Sequence, residues 1–277
     1  MSKIIDMKVD IDVSELNSAN YINNLLLETQ ESWARRLYSK LAEKYKNKDK
    51  VKLSCAFSFG VSDDYTKAAQ KIMVIGQEAN DHTCEYEKWH LEAWQKWAVA
   101  YLEYQLDINK ENEYGIGPNC SPFWQFLNKL KDEGFGICWN NLDKVRRYVK
   151  KDGKGWIEDK LPYDKLNSER AILNKKIFDA DSKSLLQKEI EIATPNIVVF
   201  AVGPKNPYYH TLCLALLDGE DSYNELLDSY PKKVDFCVDI TKKLNLGIPA
   251  FYIYHPNYLN QSGKLDATVA KITSTKI

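Results

Sequence analysis

The sequence predicts an α/β protein of three layers, in which helices cover both faces of a four-stranded parallel sheet. Short apolar runs alternate with helical patterns along the chain, which is typical of this class. Three of the four predicted strands end in polar or glycine-containing segments, and ligands bind at the carboxyl ends of such strands. The 277 residues, 44% of them hydrophobic, are enough for a single domain with a sizeable core.

The elements follow in chain order. Ser18 is a good N-cap for the first helix, which we assign to an N-terminal extension of about residues 1–50. The predicted strands are KIMVIG (71–76), GICWNN (136–141), NIVVFAVGP (196–204) and IPAFYIYHP (248–256). The predicted helices run from about Glu85 to Gln105, from Ser121–Pro122 onward, through SKSLLQKEIEIATP and through NPYYHTLCLALL. We expect an irregular tail after the last strand.

Composition excludes several classes of protein. No apolar run is long enough to span a membrane, and the acidic N-terminus lacks a secretory apolar region, so we expect a cytoplasmic protein. The six cysteines are scattered without a C-x-x-C pair, which argues against a zinc site or an iron–sulfur cluster. We expect a monomer that needs no cofactor.

A basic segment, KVRRYVKKDGKGW, begins an insertion that we place at about residues 144–176. The net charge of −1 does not itself indicate nucleic-acid binding, but phosphate binding depends on local basic patches rather than on total charge. Arg146, Arg147 and Lys150 are therefore candidate phosphate contacts. The alternative is a solvated loop or helix end.

The first polar segment, GQEANDH (76–82), matches neither a dinucleotide fingerprint nor a phosphate-binding P-loop. It offers a carboxylate just beyond a buried strand, from Glu78 or Asp81, and such a group can orient and partly deprotonate a water molecule. The alternative is that one of these carboxylates caps the following helix.

The other two segments carry amides and a histidine. Asn140 and Asn141 end a strand, and an asparagine amide, with two donor hydrogens and an acceptor, can bind two edge atoms of a pyrimidine. An Asx-turn is the alternative. His255, before Pro256, is presented rigidly after a strand, although a lone histidine is more often structural than catalytic.

Together these segments resemble the uracil-DNA glycosylase superfamily. GQEAN is similar to the GQDPY motif of its best-known branch, NLDK to the Asn-Val-Val-Lys of the iron–sulfur branch, and HPNYL to the His-Pro-Ser-x-Leu signature. The order and approximate spacing fit from the middle of the chain to its end. The departures are a glutamate for the aspartate, Ala79–Asn80 for Pro-Tyr, and the missing cluster cysteines, which exclude close kinship with the iron–sulfur branch.

The resemblance implies a role for each matched position. Glu78 activates the water, with Asp81 as the alternative, and His255 stabilises the oxygen of the departing base. Asn141 reads the base, Gln77 and Asn80 line its site, and Phe123 or Trp124 supplies an aromatic face. The positions implied to contact DNA are Asn257 and Tyr258, with Leu259 as the residue that wedges into the duplex.

The function implied is that of a monofunctional DNA glycosylase, which flips out a base and hydrolyses its N-glycosidic bond without metal. The base is uracil or another altered pyrimidine, including one enlarged at the 5-position, because Asn80 replaces a tyrosine that excludes 5-substituents. The role is either DNA repair or defence against modified foreign DNA. The alternatives are a catalytically inactive nucleic-acid-binding member of the same fold and an unrelated α/β hydrolase acting on nucleosides or small molecules.

Overall fold

The computed structural model describes most of the chain, including a central sheet and helices on both of its faces. The described residues are 18–45, 51–54, 56–78, 91–107, 121–145, 147–151, 153, 155–158, 183–204, 212, 216, 235–244 and 246–275. The strands are β1 (Val51–Leu53), β2 (Lys71–Glu78), β3 (Gly136–Asp143), β4 (Arg147–Lys151), β5 (Gly155–Glu158), β6 (Ile197–Phe200), β7 (Cys237–Asp239) and β8 (Ala250–Ile253).

The main sheet has the strand order β3-β2-β6-β8-β7. The four strands predicted from the sequence are all present and run parallel to one another, which confirms the α/β class. The expectation of four strands was wrong, because β7 adds a fifth at the edge and runs antiparallel to β8. With three residues, β7 is too short to give a recognisable apolar pattern.

A smaller antiparallel sheet has the order β1-β4-β5. The beginning of the basic insertion therefore forms a hairpin, and Val51–Leu53 pairs with its first strand. The rest of the insertion, from residue 159 to about residue 176, lies outside the described residues.

The helices begin and end at recognisable signals. They are α1 (Ala19–Tyr45), α2 (Asp63–Lys67), α3 (Leu91–Gln105), α4 (Pro122–Asp132), α5 (Leu185–Ala193), α6 (Thr241–Leu244), α7 (Pro256–Gln261) and α8 (Leu265–Thr273). Ser18 accepts a hydrogen bond from the amide of Tyr21, as expected of an N-cap. Ser184 and Gln187 form a capping box at α5, and Thr194 ends that helix in a left-handed conformation.

Helices cover both faces of the main sheet. On one face, residues of α1, α2, α5 and α6 share an apolar cluster with Met73, Ile75 and Tyr252. On the other face, residues of α4, α7 and α8 share a second cluster with Val74 and Ile253. The helix α1, which we assigned to an N-terminal extension, thus packs into the first cluster.

The end of the chain is helical, so the expected irregular tail was wrong. Leu265, Val269 and Ile272 follow one another at helical spacing and are buried in the second cluster. The predicted helix NPYYHTLCLALL lies largely outside the described residues, within which Leu212 and Leu216 are buried. Within the described ranges, no helix is long and apolar enough to cross a membrane.

Candidate active site

The register of the sheet places several predicted site residues on one face. Gly76 lies opposite Asn141 in the pairing of β2 with β3. Side chains alternate between the two faces along a strand. Asn141 therefore shares a face with Ile137, which packs in the cluster that contains α4. Beyond β8, His255 continues the alternation of Phe251 and Ile253 on that same face. The carboxyl ends of three strands therefore present their residues to α4.

Gly76 permits close packing at this point. A Cβ atom placed on Gly76 would lie 2.7 Å from Oδ1 of Asn141 and 3.6 Å from the ring of Phe123. The first distance is too short for any side chain, so only glycine lets the Asn141 amide approach this backbone. The same position brings Phe123, from the first turn of α4, next to Asn141. Trp124, by contrast, is buried in the core.

His255 lies on the other side of Phe123. Their rings are nearly parallel, with centroids 6.2 Å apart and an angle of 26°. Gly203, with a φ of +69°, lies beside His255, and a Cβ on Gly203 would be 3.4 Å from the amide nitrogen of His255. We call Gly76, Phe123, Asn141, Gly203 and His255 the strand-end cluster.

The protonation state of His255 follows from its surroundings. The amide of Asn257 donates a hydrogen bond to Nδ1 of His255 at 3.3 Å, so Nδ1 is the unprotonated nitrogen. Burial lowers the pKa of His255 from its ordinary value. The neutral imidazole then carries its proton on Nε2, where it can donate a hydrogen bond to a ligand.

The side-chain amide of Asn141 has a hydrogen-bond donor that no described residue uses. Its side chain is buried, at 1% exposure, yet Nδ2 has no hydrogen-bond partner among the described residues. A buried donor without a partner costs about 1–3 kcal/mol, and such groups are rare in folded proteins. An amide in this state beside an aromatic ring is suited to a ligand that supplies the missing acceptor.

Two carboxylate residues end the neighbouring strands. Glu78 is the last residue of β2 and lies opposite Asp143 of β3 in the parallel register. The backbone of Glu78 is therefore next to the strand-end cluster, although its side chain is outside what the structure describes. Asp143 is buried, at 8% exposure, and sequence reasoning did not select it. Asp81 and Asn80 lie outside the described residues.

The remaining residues of the His-Pro segment differ in exposure. Asn257 is exposed and Tyr258 is half-buried, so both can contact a ligand at the surface. Leu259 is fully buried in the apolar cluster of the α4 face. A wedge must be exposed before it can enter a duplex, whereas the structure places Leu259 in the core. Gln77 donates from Nε2 to the carbonyl of Val202 at 2.8 Å and thus links β2 to the segment after β6.

The basic segment divides between surface and core. Lys150 is exposed on β4, where Arg147 is the first residue, and Arg146 lies outside the described residues. Lys144 is not part of this surface, because its ammonium group is buried in an ion pair with Glu189. The sequence suggested a basic run beginning at Lys144, but the run begins beyond it.

A cavity of about 320 Å³ lies at the amino end of β3, opposite the strand-end cluster, and is lined in part by Ser62, Leu102, Lys131 and Gly136. Among the described side chains, no group of three or more His, Cys, Asp or Glu could hold a metal ion.

The strand-end cluster thus combines an aromatic face, a buried amide with an unused donor, and a neutral imidazole donor. These are the kinds of group that bind a small planar polar ring. No protein-family model matches the chain, and no curated protein matches it significantly. The chemistry of this cluster, together with the three segments that form it, is therefore the basis for a functional proposal.

Proposed function

We propose that this chain is a DNA glycosylase that binds an extrahelical pyrimidine in the strand-end cluster and hydrolyses its N-glycosidic bond. The observation that carries the proposal is the meeting of Phe123, Asn141 and His255. They come from three separate elements, and each offers a different contact that a pyrimidine needs. The resemblance of the three motifs to uracil-DNA glycosylases supports the same reading.

Each residue has a chemical part in the reaction. The ring of Phe123 stacks on the flipped base, and the free Nδ2 donor of Asn141 bonds an acceptor on its edge. The base departs with negative charge on its oxygen, and the Nε2–H of His255 stabilises that charge without transferring its proton. Glu78 is the carboxylate that steadies the cationic sugar and orients the attacking water.

The base is uracil or a pyrimidine enlarged at its 5-position. The enlarged bases follow from Asn80, which is smaller than the tyrosine found in the GQDPY motif and can bond a polar appendage. Hydrogen bonds to such an appendage would exclude thymine more effectively than an apolar pocket does. The cellular role is then repair or defence against modified foreign DNA.

The test is incubation of the purified protein with oligonucleotides that each carry one altered pyrimidine. Uracil, 5-hydroxymethylcytosine, its glycosylated form and mismatched thymine are compared in single and double strands, with chelator present. Alkali-labile abasic sites are the expected product. Glu78→Gln, Asn141→Ala and His255→Ala should each lower the single-turnover rate by on the order of 10²-fold or more.

A matched control is Glu103→Gln, which changes an exposed carboxylate beside the cavity at the amino end of β3, opposite the strand-end cluster. It should excise at the rate of the unaltered protein. Absence of abasic sites with every substrate would overturn the proposal, as would full activity in Asn141→Ala and His255→Ala.

A further inference from the structure

A buried ion pair lies behind the candidate site, on the opposite face of β3. Nζ of Lys144 is 2.9 Å from Oε2 of Glu189, and their side chains are 4% and 0% exposed. Burial lowers the pKa of Lys144, and the neighbouring carboxylate of Glu189 opposes that effect. Neither residue takes part in the proposed chemistry, and neither is accessible to a ligand.

Stability alone is a weak reason for such a pair. Removing two charges from water costs about as much as their attraction returns, and apolar replacements are often equally stable. Buried ionic groups can instead fix one arrangement of their surroundings, because each unsatisfied alternative is expensive. The partners of this pair indicate which arrangement it fixes.

Both members of the pair bind Asn140. Nδ2 of Asn140 donates to Oε2 of Glu189 at 3.0 Å, and the ammonium group of Lys144 donates to Oδ1 of Asn140. The other carboxylate oxygen of Glu189 accepts from Nε2 of Gln30 at 3.0 Å. We call Gln30, Asn140, Lys144 and Glu189 the Asn140 network. It ties the end of β3 to α1 and α5.

The network reaches the candidate site through one peptide group. Oδ1 of Asn140 also accepts the backbone N–H of Asn141, at 2.7 Å. Asn140 and Asn141 are adjacent and lie on opposite faces of β3, so the network fixes the backbone from which the Asn141 amide projects toward Phe123 and Gly76. Among the described residues, Asn141 has no hydrogen-bond partner at Nδ2 that would hold its amide from the front. The backbone that the network fixes therefore contributes to the orientation of this amide.

We infer that Asn140 is a positioning residue, clamped by Lys144 and Glu189, that holds Asn141 in the orientation in which it recognises a base. What Asn141 recognises rests on the proposed function, but the control of its orientation does not. The proposal explains why two charges are buried at the end of this strand, where an apolar pair would complete the core.

The first experiment measures orientation without any reaction. The double variant Lys144→Met, Glu189→Gln removes both charges together, so that neither is left unpaired in the core. The control, Lys183→Met with Glu191→Gln, removes an exposed ion pair at the same helix α5. Side-chain amide signals are compared in protein labelled with ¹⁵N at asparagine, and Asn141→Ala identifies the Asn141 signal by its loss.

The Asn141 amide should give one sharp pair of proton signals in the unaltered protein and in the control. In the double variant it should broaden or split, while the unfolding temperature shows that the fold is retained. A sharp, unshifted Asn141 signal in the folded double variant would overturn the inference. If the double variant does not fold, Asn140→Asp, which keeps the Oδ1 acceptor but repels Glu189, is measured and judged in the same way.

The second experiment measures excision. The double variant should lower the rate on the preferred base roughly 10- to 100-fold, since misplacement of a group by about 1 Å can cost on the order of 10²-fold. It should also reduce the preference for that base over other pyrimidines, which a merely structural loss would leave unchanged.

In the Asn141→Ala background, the same double change should alter the rate by less than about twofold, because residues that act through one group are not additive. An equal loss in both backgrounds would overturn the inference. Absence of excision by the unaltered protein would overturn the proposed function instead, and the amide signals would still decide the role of the Asn140 network.

Discussion

Asn140 and Asn141 are neighbours in the sequence, and both are buried. They differ in what their amides bind: Asn140 uses both of its amide atoms in hydrogen bonds, whereas Nδ2 of Asn141 has no partner among the described residues. A free donor in the interior lowers stability, so its presence at the strand ends indicates a requirement other than folding.

Replacing each asparagine by leucine, which has nearly the same shape, should therefore have opposite effects on stability. Asn141→Leu removes an unpaired donor, and the free energy of unfolding should stay the same or rise by about 1 kcal/mol. Asn140→Leu removes the amide that both Lys144 and Glu189 bind, and the free energy should fall by about 1–3 kcal/mol. Urea unfolding of the two variants measures both values. A loss in Asn141→Leu as large as that in Asn140→Leu would contradict this account.

His255 makes the second prediction at this scale. Its proposed role needs the neutral form, and burial lowers its pKa, so the neutral form persists below the ordinary pKa of about 6.5. The single-turnover rate should be level from about pH 8 down to about pH 6.5 and should fall only in more acidic solution. A rate that falls as pH rises across neutrality would instead indicate that protonated His255 is the active form. Measurement of the rate across this range, with His255→Ala as the control, distinguishes the two.

At the scale of elements, the short helix α7 joins the site to the core. Its first residues set the state of His255 through the backbone amide of Asn257, and Leu259 packs beneath them in the apolar cluster shared with α4 and α8. The position that resembles a DNA wedge therefore anchors the helix that presents the histidine.

Leu259→Ala tests this assignment. Loss of a fully buried leucine should lower the free energy of unfolding by about 2–5 kcal/mol, and Asn257→Ala, at an exposed position, should change it by less than about 0.5 kcal/mol. A core residue affects excision from single and double strands equally, whereas a wedge affects mainly the duplex. Selective loss of activity on duplex, with normal stability, would restore the wedge role.

At the scale of the whole molecule, a net charge of −1 does not itself favour DNA binding, so binding would depend on where the basic residues lie. The hairpin β4–β5 carries Arg147, Lys150 and Lys151, and pairs at its edge with β1. Lys242 and Lys243 belong to α6, which follows the antiparallel strand β7 and therefore lies at the opposite end of the main sheet. Lys242 and Lys243 therefore serve as a control for position, since they are basic but lie far from the hairpin.

Neutralising Arg146, Arg147, Lys150 and Lys151 with glutamine should weaken DNA binding and flatten its salt dependence, because fewer counterions are released. Lys242→Gln with Lys243→Gln should leave both unchanged. Fluorescence anisotropy with a labelled oligonucleotide at several salt concentrations measures the slopes. Equal salt slopes in the unaltered protein and in both variants would indicate that the hairpin is a solvated surface that does not bind DNA.

Much of the fold could be predicted from local pattern. The four parallel strands, the start of α1 after Ser18 and the start of α4 at Pro122 all lie where apolar runs and capping residues place them. The strand β7 could not be found because three residues give no periodicity. The helix α8 could have been found, since Leu265, Val269 and Ile272 have helical spacing.

The sequence by itself determined which residues end the strands, because apolar runs stop where glycine, asparagine or histidine follows. It therefore placed Asn141 and His255 at the same edge of a sheet. Only the tertiary structure decided that Phe123 joins them, that Leu259 is core, and that Lys144 belongs to a buried pair with Glu189 rather than to a basic surface. The physical reason is that burial and partner choice depend on contacts between residues distant in sequence, such as Asn140 and Glu189, and local pattern carries no information about which distant residue completes a contact.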